Sequence, residues 1–151
     1  MKLNFDKTLI ISLILMVLII LGGIWLKKPG VKTLEIITDQ QQYDNDGTLR
    51  LKVKNLLAAN VCFSSCYPYY LERKENRDSL ASWNAYSYQS CPYNDQAKEC
   101  IDSGSTKAFE ISLPKIKGGV HRLSLPACEN CTEGQTFQEN QRFYSNEFEV
   151  K

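Results

Sequence analysis

Six cysteines, one histidine and a run of tyrosines are the side chains of this 151-residue chain whose types and spacing could do chemistry. The cysteines are Cys62, Cys66, Cys91, Cys100, Cys128 and Cys131. Cys128-Glu-Asn-Cys131 has the spacing of a redox dithiol. Such chemistry relies on a helix N-terminus or nearby cations to favour the thiolate, and here Glu129 and Glu133 act in the opposite direction. Cys62-x3-Cys66 together with Cys128-x2-Cys131 could offer four thiolates to zinc, which would leave two cysteines over. The third reading is three structural disulfides. Six cysteines in a small domain without a metal-site pattern point to an oxidising compartment, and this reading is the expectation. Six cysteines allow 15 connectivities, and spacing alone does not choose among them. No metal and no cofactor is implied.

His121 is the only histidine, so a histidine metal site or a Ser/His/Asp triad has little material. Its neighbours Val120 and Arg122 place it in mid-strand, where a surface or half-buried structural role is expected. Carboxylates are scattered as Glu72, Glu75, Asp78, Asp95, Glu99 and Asp102, and no acid/base pair stands out. The chain has no glycine-rich phosphate loop. Asn130-Cys-Thr132 matches a glycosylation sequon, meaningful only in a secretory-pathway host. The expectation is a protein that is not an enzyme. Six of eight tyrosines fall between Tyr67 and Tyr93, together with Phe63 and Trp83. Tyrosine and tryptophan combine contact area with a hydrogen-bonding tip, which suits protein or glycan surfaces. Aromatic residues are also favoured in strands for their cross-strand packing. Tyr67, Tyr70, Tyr86 and Tyr88 are the candidate binding surface.

These residues need elements to position them, and the chain divides by solvent. The 19 residues from Thr8 to Leu26 carry no charge. As a helix they would span about 28 Å, at roughly 1.5 Å per residue, against a hydrocarbon core of about 30 Å. Trp25 suits the interface, and Lys27-Lys28-Pro29-Gly30 ends the segment. A cleaved signal peptide has a shorter apolar core and a small-residue cleavage site; here Gly22-Gly23 is followed by Ile24-Trp25-Leu26, so an uncleaved anchor is expected. Lys2 and Lys7 precede it while Lys27, Lys28 and Lys32 follow, so charge weakly favours the inverted orientation. The cysteines decide the orientation. Residues 1–7 are expected in the cytoplasm, 8–26 in the membrane, 27–32 as a linker and 33–151 as an extracytoplasmic domain at the cell membrane. Beyond residue 26 the chain has 16 basic and 16 acidic side chains, which gives no electrostatic footprint for nucleic acid.

The outer part shows period-two patterning and no helix. Thr33–Thr38 alternates. Asp44-Asn-Asp-Gly47 is a turn signal, after which Thr48–Asn55 points Leu49, Leu51 and Val53 one way and Arg50, Lys52 and Lys54 the other. Tyr69–Lys74 and Ser82–Tyr88 read as two more strands joined by a turn, with Trp83 on the face opposite Tyr86 and Tyr88. Ser105–Leu113, Val120–Leu125 and Arg142–Val150 complete about seven strands. The expected fold is all-β, an immunoglobulin-like sandwich after one N-terminal transmembrane helix.

Tyr43–Asn55, Gly118–Leu125 and Ser145–Val150 are phrased in a way that resembles bacterial and archaeal membrane-anchored immunoglobulin-like domains. That pattern usually has an aromatic residue, commonly Tyr, where this chain has His121. The resemblance implies an adhesion, scaffold, inhibitor or assembly module and supplies no site residues. On this frame the six cysteines fall in three connections at one pole of the sandwich, the pole where residues 27–32 enter. The functional expectation is a disulfide-stabilised binding or scaffolding module, held to the membrane by its N-terminal helix and engaging a protein or glycan partner. A proteinase-inhibitor domain is the alternative, followed by a thiol or zinc protein.

Overall fold

The computed structural model describes Met16 and residues 33–75, 82–87, 90–91 and 93–151. The expected membrane segment, apart from Met16, lies outside the described residues, as does Tyr88. Among the described residues no helix is long and apolar enough to cross a membrane. The chain divides into two units, Met1–Val31 and Lys32–Lys151.

The second unit is all-β. Among the described residues it has eleven strand segments, β1 (Leu34–Thr38), β2 (Gln42–Tyr43), β3 (Thr48–Asn55), β4 (Val61–Ser64), β5 (Tyr70–Lys74), β6 (Trp83–Ala85), β7 (Ala97–Ile101), β8 (Thr106–Ser112), β9 (Gly119–Glu129), β10 (Gln141–Tyr144) and β11 (Phe148–Val150). β1, β3 and β8 form one sheet. The rest form a second, ordered β2-β11-β9-β4-β7, with β10 beside β9 and β5 between β9 and β6. Leu34, Ile36, Leu49, Leu51, Val53 and Ile111 of the first meet Val61, Phe63, Leu71, Leu123, Leu125 and Phe148 of the second in a shared core. Burying each of these side chains contributes about 1.5–3 kcal/mol before entropy is counted.

β3 shows how the sequence writes this arrangement. Its strict alternation buries Leu49, Leu51, Val53 and Asn55 and exposes the residues between them. The turn before it requires glycine: a Cβ on Gly47 would lie 2.8 Å from the Asp44 carbonyl oxygen. In the same turn the Asn45 amide donates to the Ile116 carbonyl at 2.7 Å and accepts from the Ile116 N–H at 2.9 Å. Asp39 sits where the chain passes from β1 to β2. It accepts a 2.6 Å hydrogen bond from the Tyr43 hydroxyl, and that bond holds its carboxyl below the usual range.

β9 is the spine of the larger sheet, and both of its flanks are interrupted. On one side β10 pairs with Ser124–Ala127 and β11 with Gly119–His121. On the other, β4 pairs with Ala127–Glu129 and β5 with His121–Ser124. Phe63 faces Ala127 and Tyr70 faces Ser124, so six residues (64–69) stand against two (125 and 126). The surplus forms a bulge whose start is tied down by Asp95 and whose last residue, Tyr69, packs against the core. The Asp95 carboxylate accepts from Ser64 Oγ at 2.7 Å, Ser65 Oγ at 3.2 Å and the Cys66 N–H at 3.3 Å.

That gap explains a proline in the middle of a sheet. The carbonyls of Ala127 and Leu123 accept from Asn140 and Ser145, so the odd-numbered residues of β9 direct their backbone groups toward β10. Pro126 therefore faces the interrupted flank, where its missing N–H has no strand to pair with.

Candidate functional site: the outer face of the larger sheet

Along β9, Leu123, Leu125 and Ala127 point into the core. By the period of two, Arg122, Ser124, Pro126 and Cys128 form a row on the outer face. Neighbouring strands extend that row into two unlike halves.

In the lower half Arg122 is the centre. Glu72 lies directly opposite it on β5, and Arg122 Nε donates to Glu72 Oε2 at 2.7 Å. The guanidinium carbon lies 4.1 Å from the centroid of the Trp83 ring and 4.0 Å from that of Tyr144, so one cation is held between two aromatic rings. Lys74 stands over Trp83 at 5.6 Å and pairs with Glu147 at 3.2 Å. Tyr67, carried on the bulge, stacks on Tyr70 with centroids 6.0 Å apart. Arg142, which donates two hydrogen bonds to Glu139, lies 5.5 Å from the Tyr70 ring. Tyr144 is 46% exposed whereas Glu72 is buried. Ser124 lies in the row between Tyr70 and Tyr144. It is fully buried, and among the described residues its hydroxyl has no hydrogen-bond partner.

The upper half is covalent. The three disulfides are Cys62–Cys100, Cys66–Cys91 and Cys128–Cys131. Cys62 of β4 stands opposite Cys128 of β9. A bulge in the β4–β7 ladder sets Glu99 and Cys100 against Cys62, with Glu99 at a φ of 52°. Asn130, at a φ of 63°, turns Cys131 back toward Cys128. The Asn60 amide donates to the Cys131 carbonyl at 2.6 Å and fixes this turn. Cys62, Cys128 and Cys131 are buried together with Ala97, against Cys100 and Phe137.

This placement corrects one expectation. Cys62, Cys100 and Cys128 lie within strands, not in connections. Four cysteines gather in one cluster, while the Cys66–Cys91 bridge belongs to the bulge between β4 and β5. The spacing hid this because Val61–Ser64 is buried on both faces, so it lacks the alternation that marks a half-wet strand.

The four candidate tyrosines separate as well. Tyr67 and Tyr70 come together on the outer face. Tyr86 turns inward and packs against the core. Its ring stacks on His121 at 6.0 Å, and the other neighbour of the imidazole is Phe148 at 6.1 Å. His121 is fully buried, deeper than a surface or half-buried place. Its Nδ1 donates to the Gly119 carbonyl at 2.8 Å, which leaves Nε2 to accept from the Tyr86 hydroxyl at 3.2 Å. Burial holds the imidazole below its ordinary pKa, so it is neutral, with both nitrogens engaged in the fold. Arg122, Tyr144, Arg142 and Glu72 were not singled out by sequence. Glu72 stands 50 or more positions from the other three along the chain, and only strand register brings it to them.

No protein-family model matches the chain, and no curated protein matches it. Solved structures show weak likeness. The sporulation control protein Spo0M of Bacillus subtilis is similar over 79% of this chain and 49% of its own, at 12% identity and a TM-score of 0.40. The alkylpurine DNA glycosylase AlkC of Pseudomonas fluorescens, bound to DNA containing an abasic site analogue, is similar over 89% of this chain and 33% of its own, at 10% identity and a TM-score of 0.39. A β-glucosidase of Listeria innocua is similar over 80% of this chain and 16% of its own, at 16% identity and a TM-score of 0.33. The chain thus spans less than half the length of each, and none of these likenesses bears on what it does.

Proposed function

We infer that the chain is a membrane-anchored, disulfide-stapled immunoglobulin-like module that binds a protein partner on the outer side of the membrane. The recognition surface is the lower half of the outer face, centred on Arg122. The stack of Trp83, Arg122 and Tyr144 carries this reading. Tryptophan, tyrosine and arginine are the residues that dominate binding energy at protein interfaces. A guanidinium fixed between two rings and a carboxylate is ordered before contact, so little side-chain entropy is lost on binding. A protein partner suits this surface better than a glycan: Trp83 and Tyr144 each give one ring face to Arg122, and the surrounding Lys74, Glu147, Arg142 and Glu139 offer charges of both signs.

The placement outside the membrane rests on the uncharged segment Thr8–Leu26 and on three disulfides, which persist in oxidising compartments. The immunoglobulin-like reading is supported by the first strand region, which changes sheets. β1 pairs antiparallel with β3, and β2 pairs parallel with β11 in the other sheet. The chain enters the domain at Thr33, whose carbonyl accepts from Leu56, at the end of the sheets where β4 begins.

Capture of partners from native membranes with the full chain tests the reading. Trp83→Ala with Tyr144→Ala is expected to lose at least about 10-fold in captured partner, as interface anchors do, with the disulfides still formed. Undiminished capture by that variant would remove the outer face from the account.

A further inference from the structure

We propose that the open edge of β8 takes up an extended protein segment as a further strand, with one aromatic or branched apolar side chain in the cleft beside it and a neighbouring Lys or Arg against Glu110. The site belongs to the smaller sheet and stands apart from the face centred on Arg122.

β8 ends the smaller sheet. Among the described residues it pairs only with β3, in an unbroken register from Thr106 to Ser112. At the two ends of that ladder the Asn55 N–H donates to the Ser105 carbonyl and the Leu113 N–H to the Gly47 carbonyl. Odd-numbered residues of β8 therefore turn their backbone groups toward β3, and Thr106, Ala108, Glu110 and Ser112 turn theirs away. Edge strands are commonly blunted by proline or by bulges, and β8 has no proline and no bulge against β3. Such an edge is a template for a further strand, which gains affinity from main-chain hydrogen bonds and specificity from pockets for alternate side chains.

The same edge leaves the core uncovered at one place. Leu49, Leu51 and Val53 of β3 are buried, whereas Phe109, which stands opposite Leu51 on the same face, is only half-buried. Beside it a cleft of about 210 Å3 opens between the sheets, lined by Phe63, Phe109 and Leu125 and, from the bulge, by Pro68 and Tyr69. A cavity of about 150 Å3 takes up benzene, and drug-sized ligands need about 300 Å3 or more, so the cleft suits a single side chain. An added strand lies about 4.8 Å from β8, and its inward side chain falls beside Phe109. The residues before and after that one point outward, to the side of the sheet from which Glu110 projects. Among the described residues, Glu99 and Glu110 are the only charged side chains lining the cleft. Their present partners, Lys107 and Arg50, form exposed pairs of little worth, so a Lys or Arg of the incoming strand finds an available carboxylate. The incoming strand lies two strand spacings, about 10 Å, from β3, so Lys52 does not border it.

The peptide Thr-Thr-Lys-Phe-Lys-Thr-Thr with blocked ends, titrated into the isotope-labelled full chain in detergent micelles, tests the site by nuclear magnetic resonance. Saturable shifts are expected at the amides of Ala108 and Glu110, with half-saturation below about 1 mM. Replacing the peptide's Phe by Ala should weaken binding at least about 10-fold, as loss of a buried anchor does. Glu110→Lys in the protein, an exposed change, should weaken it about 3-fold or more. N-methylation of alternate peptide amides should abolish binding in one parity and leave it nearly unchanged in the other, since an added strand bonds through every second residue. Phenethylamine, which has the ring and the cation without the backbone, should leave the Ala108 and Glu110 amides unshifted. Absence of saturable shifts at these amides would overturn the proposal, as would equal binding of the Ala peptide or to Glu110→Lys. Equal losses from both methylation patterns, or the same shifts with phenethylamine, would also overturn it, because neither fits an added strand.

Discussion

The upper and lower halves of the outer face share one strand and one sheet, yet they are held by different physics. Four positions along β9, Arg122 to Cys128, take the face from an ion pair between aromatic rings to a pair of disulfides. In the upper half the outward side chains are buried and cross-linked, so this half resists unfolding and offers little to a partner. In the lower half the groups are ordered by Glu72, Trp83 and Tyr144 but partly exposed, so the same contacts that hold them also present them. On the proposed reading, one sheet face is divided into a part that stabilises and a part that recognises.

The comparison breaks first at the bridges. The chain-entropy model relates stabilisation to loop length. The Cys62–Cys100 bridge, with a sequence separation of 38, is expected to contribute about 4 kcal/mol, and the Cys128–Cys131 bridge, with a separation of 3, less than about 2 kcal/mol. Denaturant melts of the two paired Cys→Ser variants should rank them in that order, and equal losses would show that this half is not stabilised by loop closure.

Next comes the ion pair. Arg122→Ala strands the buried Glu72 carboxylate and is expected to cost about 2 kcal/mol, less than a fully buried pair because Arg122 keeps some solvent. Adding Glu72→Gln should recover part of that loss, a coupling readable from a double-mutant cycle. Ser124→Ala acts in the other direction. It removes a buried hydroxyl that has no partner among the described residues and should raise stability by about 1 kcal/mol.

The smallest effect lies on the inner side of the lower half, at His121. Its native pKa is depressed by burial, so the folded state binds fewer protons than the unfolded chain at acid pH. Stability from this group is complete above the ordinary imidazole value of 6.5 and falls as pH drops below it toward the native value. The melting midpoint of His121→Phe should show a shallower decline between pH 6.5 and pH 5 than that of the parent, where pH 6.5 is the ordinary imidazole value and pH about 5 a convenient lower limit of measurement.

The strands that face core on one side and water on the other were legible in the sequence. Thr48–Asn55 alternates because only one side of β3 is wet, and the turn at Gly47 announces it. β4 was not legible, since Val61–Ser64 is buried on both sides. The extension of β9 past Leu125 was hidden by Pro126, tolerated only because the opposite flank is interrupted. The arrangement of the bridges followed from these two strands and was hidden with them. Of the four tyrosines that the sequence clusters, Tyr67 and Tyr70 share the outer face, Tyr86 turns inward and Tyr88 lies outside the described residues. The cluster omitted Arg122 and Tyr144, because a face of a sheet is assembled by register across distant strands.

The central claim is that the lower half of this face meets a protein partner. Photo-crosslinking in intact cells tests it directly, with a photoreactive residue placed at Tyr144 and, in a second chain, at Lys52 on the exposed side of β3. The account predicts a discrete protein adduct from position 144 and none from position 52. No adduct at 144, or the same adduct from both positions, would contradict it.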